Sequence, residues 1–163
     1  MKSFLISWLA KRYAGGDLAA FKADHPGDWL VWEAGPWRPP AARRETMSSG
    51  PGTRLLAAGE SLAILLEPKV PGGREVRLGR SADNDLVVDD GTLSRAHLSF
   101  TKDPAGFWTA RDVGSSNGSQ LEGKPLLRHP IRLESGARLE AGAVHLTFYD
   151  AGGMYLRLRG AQP

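Results

Sequence analysis

From residue 61 onward the chain is a succession of short apolar or alternating runs, each bounded by Gly, Pro, Asp or Asn. Residues 61–67 form an apolar run of strand length. Residues 75–78, 97–101 and 107–113 alternate polar and apolar side chains, the period of a strand with one buried face. Residues 86–88, 131–133, 138–140, 144–149 and 154–158 continue the series, and 20 glycines and 11 prolines among 163 residues supply the turns between them. Many short strands with turn signals at close intervals fold as a sandwich or barrel. The fold class is therefore read as all-β, an antiparallel β-sandwich occupying residues 60–160.

Residues 1–40 have a different texture. Phe4, Leu5, Trp8 and Leu9 share one face at helical spacing, with Lys11 and Arg12 just beyond. Gly15 and Gly16 interrupt that pattern, and Asp17 is placed to cap a second short helix ending at His25, Pro26 and Gly27. Trp29, Leu30, Val31, Trp32 and Trp37 follow, holding three of the chain's five tryptophans. This predicts a small helical, Trp-rich N-terminal extension over residues 1–40 that packs on the sandwich as an accessory. Residues 41–59 read as a flexible linker, with Arg43, Arg44, Ser48, Ser49, Gly50, Pro51 and Gly52. Two threonines there, Thr46 and Thr53, are candidate phosphate acceptors. At the other end, the alternation of Leu156, Arg157, Leu158 and Arg159 predicts a last strand with one solvated face.

Composition narrows the function classes. The absence of cysteine removes disulfides, thiolate metal sites and cysteine nucleophiles, and it suits a reducing compartment. No apolar run approaches the ~20 residues of a membrane-spanning helix. Lys2 and residues 4–10 have the outline of a signal peptide, but Lys11, Arg12 and Tyr13 stand where a small-residue cleavage site belongs, so a cytoplasmic location is expected. Asp83, Asp85, Asp89 and Asp90 hint at a calcium loop, yet Leu86, Val87 and Val88 occupy positions that should donate ligands and no glutamate closes the loop. No metal is expected. Serine, histidine and aspartate are present, but no Gly-x-Ser-x-Gly elbow frames a serine, so neither catalysis nor a cofactor is expected. A net charge of +3 permits an anionic partner. Nucleic acid is disfavoured, because no aromatic residues interleave with basic ones in the loops.

Three loop clusters offer recognition chemistry instead. They are Gly79-Arg80-Ser81 with Asp83 to Val88, then Leu93-Ser94-Arg95-Ala96-His97, then Asp112 to Gly118. Arg80 and Arg95 carry permanent positive charge on fork-shaped donors suited to phosphate. Ser94 and Ser116 add hydroxyl donors, and the Asn117 amide can both donate to and accept from a peptide backbone. Loops at one end of a sandwich converge readily into a site.

Gly79-Arg80, Ser94-Arg95-Ala96-His97 and Ser116-Asn117-Gly118, in this order and spacing, resemble the signature of the forkhead-associated (FHA) domain. The likeness covers about residues 60–158 and includes Asn84-Asp85-Leu86-Val87-Val88; it departs mildly at Ser119, where the family often has Thr. The resemblance implies a phosphothreonine-binding module rather than an enzyme. Arg80 and Ser94 would bind the phosphate, Arg95 would support the phosphate or peptide backbone, Ser116 would sit near the phosphate and the threonine methyl, and Asn117 would hold the peptide backbone. His97 would be architectural, Gly79 and Gly118 would permit tight turns, and Thr92 would lie in the loop that reads the residue three places after the phosphothreonine. Usage of Gly, Ala, Arg and Leu resembles that of high-GC bacteria, in which such domains partner Ser/Thr kinases or their substrates. The competing reading is a phosphate-independent scaffold that uses the same fold for protein–protein contacts.

Overall fold

The computed structural model describes residues 1–34 and 59–160, and among these twelve strands form two sheets. The larger sheet contains β1 (Ser3–Leu5), β2 (Trp29–Trp32), β3 (Leu62–Leu65), β8 (Ser119–Leu121), β9 (Lys124–Leu126), β11 (Arg138–Ala141) and β12 (Val144–Tyr149). Its order is β1-β3-β2-β12-β11-β8-β9, antiparallel throughout. The smaller sheet contains β4 (Glu75–Gly79), β5 (Leu86–Val87), β6 (Leu98–Lys102), β7 (Trp108–Asp112) and β10 (Ile131–Arg132) in the order β10-β7-β6-β4-β5. Only the short β4–β5 pair is parallel. The inner faces of the two sheets share one core, to which β4 contributes Val76 and Leu78, β6 contributes Leu98 and Phe100, and β12 contributes Val144, Leu146 and Phe148. The all-β sandwich expected from the alternating runs is the fold observed.

Among the described residues three helices accompany the sheets: α1 (Ile6–Arg12), α2 (Leu18–Asp24) and α3 (Ala151–Gly160). The second falls where the sequence placed it, but the first begins only at Ile6: Phe4 and Leu5 belong to β1, and Ile6, Leu9 and Ala10 are buried while Trp8 is exposed. Asp17 caps α2 by accepting a hydrogen bond from the Ala20 N–H at 2.8 Å. All three helices cover the outer face of the larger sheet at β2 and β3, burying a second core with Leu9, Phe21, Trp29, Val31, Ala63, Leu65, Met154 and Leu158.

This second layer corrects the reading of residues 1–40 as a helical accessory packed on the sandwich. β2 lies inside the larger sheet, between β3 and β12, with Trp29 opposite both Leu65 and Tyr149. Leu30 and Trp32 face the sandwich core while Trp29 and Val31 face the helices. A strand covered on both faces reads as a continuous apolar run rather than an alternating one, which is why Trp-Leu-Val-Trp carried no strand period. β1 extends the same sheet along β3. The first 34 residues therefore supply two of the seven strands as well as two helices. The expected linker, with Thr46 and Thr53, lies outside the described residues except for Gly59, as does Trp37.

The expected last strand over 154–158 is instead part of α3. Met154, Tyr155 and Leu158 are buried, and Leu156 is exposed. That spacing is the i, i+1, i+4 of a helix face, whereas the alternation of residues 156–159 would have buried Leu156 together with Leu158. Arg157 anchors α3 to the ends of two interior strands, β2 and β12: its two terminal nitrogens donate to Glu33 Oε1 and Oε2 at 2.9 and 2.7 Å, and one also donates to the Tyr149 hydroxyl. β8 and β9 went unseen in the sequence. They are three-residue strands joined at Glu122 and Gly123, whose φ angles of 51° and 75° form the tight hairpin turn. Among the described residues, no helix is long and apolar enough to cross a membrane.

Candidate functional site

The loops β4–β5, β5–β6 and β7–β8 meet at one end of the sandwich around an open cleft of about 630 Å³. Arg80, Thr92, Ser94, Arg95, Ser116 and Asn117 all line it. The five side chains proposed from the sequence as ligand contacts thus come together, although they span 38 positions of the chain from Arg80 to Asn117 (117 − 80 + 1). The guanidinium groups of Arg80 and Arg95 belong to exposed residues, and neither is in an ion pair among the described residues. The Arg80 Nε donates to the Leu93 carbonyl at 3.2 Å, which orients the side chain and leaves its terminal nitrogens available. Arg80 forms no ion pair with the nearby Asp83 or Asp85. Asp83 accepts from the Ser81 hydroxyl, and Asp85 accepts from the backbone N–H groups of Lys69 and Arg77.

Backbone hydrogen bonds hold the loops in register. The Arg80 N–H donates to the Ser94 carbonyl at 3.0 Å, and the Ser81 N–H to the Arg95 carbonyl at 3.1 Å. This close approach needs Gly79, because a β-carbon there would collide with the Arg95 carbonyl and the Ala96 Cα. Gly118 is needed for a different reason: its surroundings are open, but its φ of 76° disfavours a side chain. Between the loops, the Ser116 N–H donates to Ser94 Oγ at 2.9 Å, and Asn117 Nδ2 donates to the Thr92 carbonyl at 2.7 Å. Asn117 therefore spends one of its donors on the loop and keeps its amide oxygen for another partner.

His97 is fully buried beneath the cleft. The Ser94 N–H donates to its Nδ1 at 3.1 Å, so that nitrogen is an acceptor, and Nε2–H then donates to the Gly118 carbonyl at 3.0 Å. Both ring nitrogens of the neutral tautomer are thereby used to tie the second loop to the third, leaving neither for proton transfer. Thr92 does a similar job with its hydroxyl, which donates to Asp90 and accepts from the Ala143 N–H at 2.8 Å. It lines the cleft, but its oxygen is committed to the neighbouring turn.

Two supporting residues were not singled out from the sequence. Asn84 is buried, and its Nδ2 donates to the carbonyls of Ser81 and Arg95, joining the first loop to the second. Asp112 is buried at the end of β7 and organises the third loop. Its Oδ1 accepts from the N–H groups of Gly114 and Ser115 at 2.7 Å, while Oδ2 accepts from the hydroxyls of Ser115 and Ser119. The departure at Ser119 thus keeps the hydroxyl that this carboxylate uses. Both residues stood inside the quoted motifs; only their burial and partners, which are long-range facts, reveal what they do.

Burial alone would raise the Asp112 carboxyl, but the hydrogen bonds from Ser115, Ser119 and Gly114 outweigh it and hold the group below the usual carboxylate range. A carboxylate depressed on folding adds stability above its unfolded value of about 3.9, and that stability is lost as pH falls through the folded value. Asp112→Asn is therefore expected to be destabilised at neutral pH, with the gap to the wild type closing below about pH 4. Urea unfolding of both proteins between pH 7 and pH 3 checks this; a gap that stays constant with pH contradicts it.

No group of three or more metal-ligating side chains occurs among the described residues. The aspartates that hinted at a calcium loop are dispersed over separate tasks, with Asp90 accepting from the Thr92 N–H and hydroxyl.

A model of the FHA domain matches residues 76–142. The chain is 30% identical to the glycogen accumulation regulator GarA of Mycolicibacterium smegmatis over 116 residues, covering 68% of this chain and 70% of that protein. It is 35% identical to the oxoglutarate dehydrogenase inhibitor of Corynebacterium diphtheriae over 72 residues, a match that spans 44% of this chain and about half, 48%, of that relative's length. The solution structure of the FHA domain of an Arabidopsis thaliana hypothetical protein is similar with a TM-score of 0.51 and 21% identity, over 76% of this chain and 86% of that one. At that identity the likeness concerns the fold.

Proposed function

Since the chain belongs to the FHA domain family, we propose that its cleft binds phosphothreonine in a partner protein and that it acts as an adaptor in Ser/Thr kinase signalling. The observation that carries this is the cleft itself: two arginines outside any described ion pair converge with Ser94, Ser116 and Asn117 on an open surface. Arg80 and Ser94 would hold the phosphate, with Arg95 and Ser116 beside it and the Asn117 amide oxygen taking a peptide N–H. A phosphothreonine carries about −1.5 to −2 charges at neutral pH and three acceptor oxygens, which matches the donors on offer. Among the described residues His97 is the histidine at the site, and it is committed to two structural hydrogen bonds rather than to a serine hydroxyl. The relatives' names describe an inhibitor and a regulator. Regulation by binding is the activity proposed here as well, with a Ser/Thr kinase or its substrate as the partner.

Hydrogen bonds to a charged group contribute about 1.5–3 kcal/mol each. Two or three of them, less the cost of ordering the peptide, correspond to micromolar affinity, about −8 kcal/mol. Calorimetric titration with a phosphothreonine peptide and its unphosphorylated twin tests the reading. Micromolar binding of the first and none of the second is expected. Equal binding of both would overturn it and favour a phosphate-independent scaffold.

A further inference from the structure

Beside the cleft, on the outward face of the smaller sheet, runs a second groove lined by Glu75, Arg77, Ala96, Arg111, Val113 and Arg128. The sheet register builds it. Arg77 of β4 lies opposite Ser99 of β6, and Ser99 lies opposite Arg111 of β7. These three share the outer face, since their neighbours Val76, Leu78, Phe100 and Ala110 point into the core. The Asp112 N–H donates to the Leu127 carbonyl at 2.9 Å, which runs residues 127–128 along the other side of β7 and puts Arg128 at the end of the row. The Arg128 guanidinium covers Gly114, where an added β-carbon would stand 2.7 Å from Nη2. Gly114 and Ala96 both line the first cleft, and Ala96 lines the groove as well. The two depressions therefore adjoin at Ala96.

The groove is cationic. Three arginines stand against one carboxylate, a net of +2 (3 − 1). Glu75 is fully engaged, accepting from Ser99 Oγ at 2.6 Å, Arg111 Nη2 at 3.2 Å and Arg77 Nε at 3.1 Å. The bond from Ser99, aided by the two arginines, holds its carboxyl below the usual range. Arg128 is exposed and in no ion pair among the described residues. The step from β7 to β4 is two strand spacings, about 10 Å, which is about three residues of extended chain.

We propose that this groove is a second anion subsite for the same ligand. Carboxylates or a second phosphate, carried within a few residues of the phosphothreonine, meet Arg128 first and then Arg111 and Arg77. The proposal rests on the reading of the cleft as a phosphothreonine site. Its cations are half-exposed, so each contact is weak and screened by salt. Their effect is a preference among phosphothreonine peptides rather than binding in its own right.

The test is titration of the full chain at low and high salt with phosphothreonine peptides of equal length. One has neutral flanks. Others carry Asp and Glu before or after the phosphothreonine, or a second phosphothreonine in those positions. For one flank, the acidic or doubly phosphorylated peptide is expected to bind about three- to tenfold more tightly than the neutral one, with the gain shrinking at high salt. Comparison of the two peptides identifies carboxylate or phosphate as the preferred group. Arg128→Gln and, separately, Arg77→Gln should reduce the gain and leave affinity for the neutral-flanked peptide unchanged. Arg128→Glu should reverse the preference toward a lysine-flanked peptide, which a merely structural arginine would not do. Absence of any gain in the wild type, or a gain that survives both Gln variants, overturns the subsite and leaves the phosphothreonine reading standing. Failure of the neutral-flanked peptide to bind at all sinks both.

Discussion

Arg80→Ala is expected to lose phosphothreonine-peptide binding by about 100-fold or more while remaining folded. Two charge-assisted hydrogen bonds at the low end of 1.5–3 kcal/mol amount to about 3 kcal/mol, and each 1.4 kcal/mol is about tenfold. The variant separates binding from folding because of how Arg80 is held. Its backbone N–H donates to the Ser94 carbonyl whatever the side chain, and the only described side-chain bond it gives up is that to the Leu93 carbonyl. An unchanged melting temperature with lost affinity is the expected pair of measurements. Unchanged affinity would mean that the phosphate is read elsewhere. Arg80→Lys is expected to recover only part of the loss, since an ammonium keeps the charge but not the planar fork.

The second large effect concerns stability. Trp29→Ala is expected to destabilise the whole sandwich by about 3–5 kcal/mol, the usual loss for truncating a buried aromatic residue. That is a large share of the about 5–15 kcal/mol that holds a domain folded. Trp29 is fully buried and stacks on Phe21 with ring centroids 5.7 Å apart. Its strand is bonded on both sides, so the cavity opens at the joint between the larger sheet and the helices. A single cooperative urea transition, shifted to lower concentration, is the expected result. A loss below about 1 kcal/mol would mean that the N-terminal segment is peripheral to the sandwich. The Trp29 indole N–H is buried and has no hydrogen-bond partner among the described residues. Trp29→Phe therefore removes an unsatisfied donor while keeping an aromatic ring, and its cost should be well under that of the alanine variant.

The two predictions fall on either side of what the sequence makes legible. The residues proposed to bind phosphate stood out because they are local: a loop that must approach another closely needs Gly79, and Arg80 beside it supplies the fixed charge that the proposed phosphate site needs. Alternation likewise announced strands such as β4 and β6, each with one face in the core and the other near water. The same logic failed wherever a strand is covered on both faces. Trp-Leu-Val-Trp has no period because the second layer of helices takes the side chains that solvent would otherwise demand be polar. The end of the chain failed for a different reason: Leu156, Arg157, Leu158 and Arg159 alternate like a strand, but the buried side chains are Met154, Tyr155 and Leu158, which share a helix face, and Leu156 is exposed.

The chain's own residues were enough to determine a β-sandwich with a phosphate-suited set of loops at one end, because strand period, turn chemistry and fixed charge are properties of short segments. Tertiary structure alone decided three further things. It placed β1 and β2 in the larger sheet, a pairing across a long separation in sequence that no local pattern specifies. It closed the loops through His97, Asn84 and Asp112, whose partners are distant or whose burial makes them matter. It also aligned Arg77, Arg111 and Arg128 into one groove, which exists only because the register of three strands and the path of residue 127 beside β7 bring those charges to the same face.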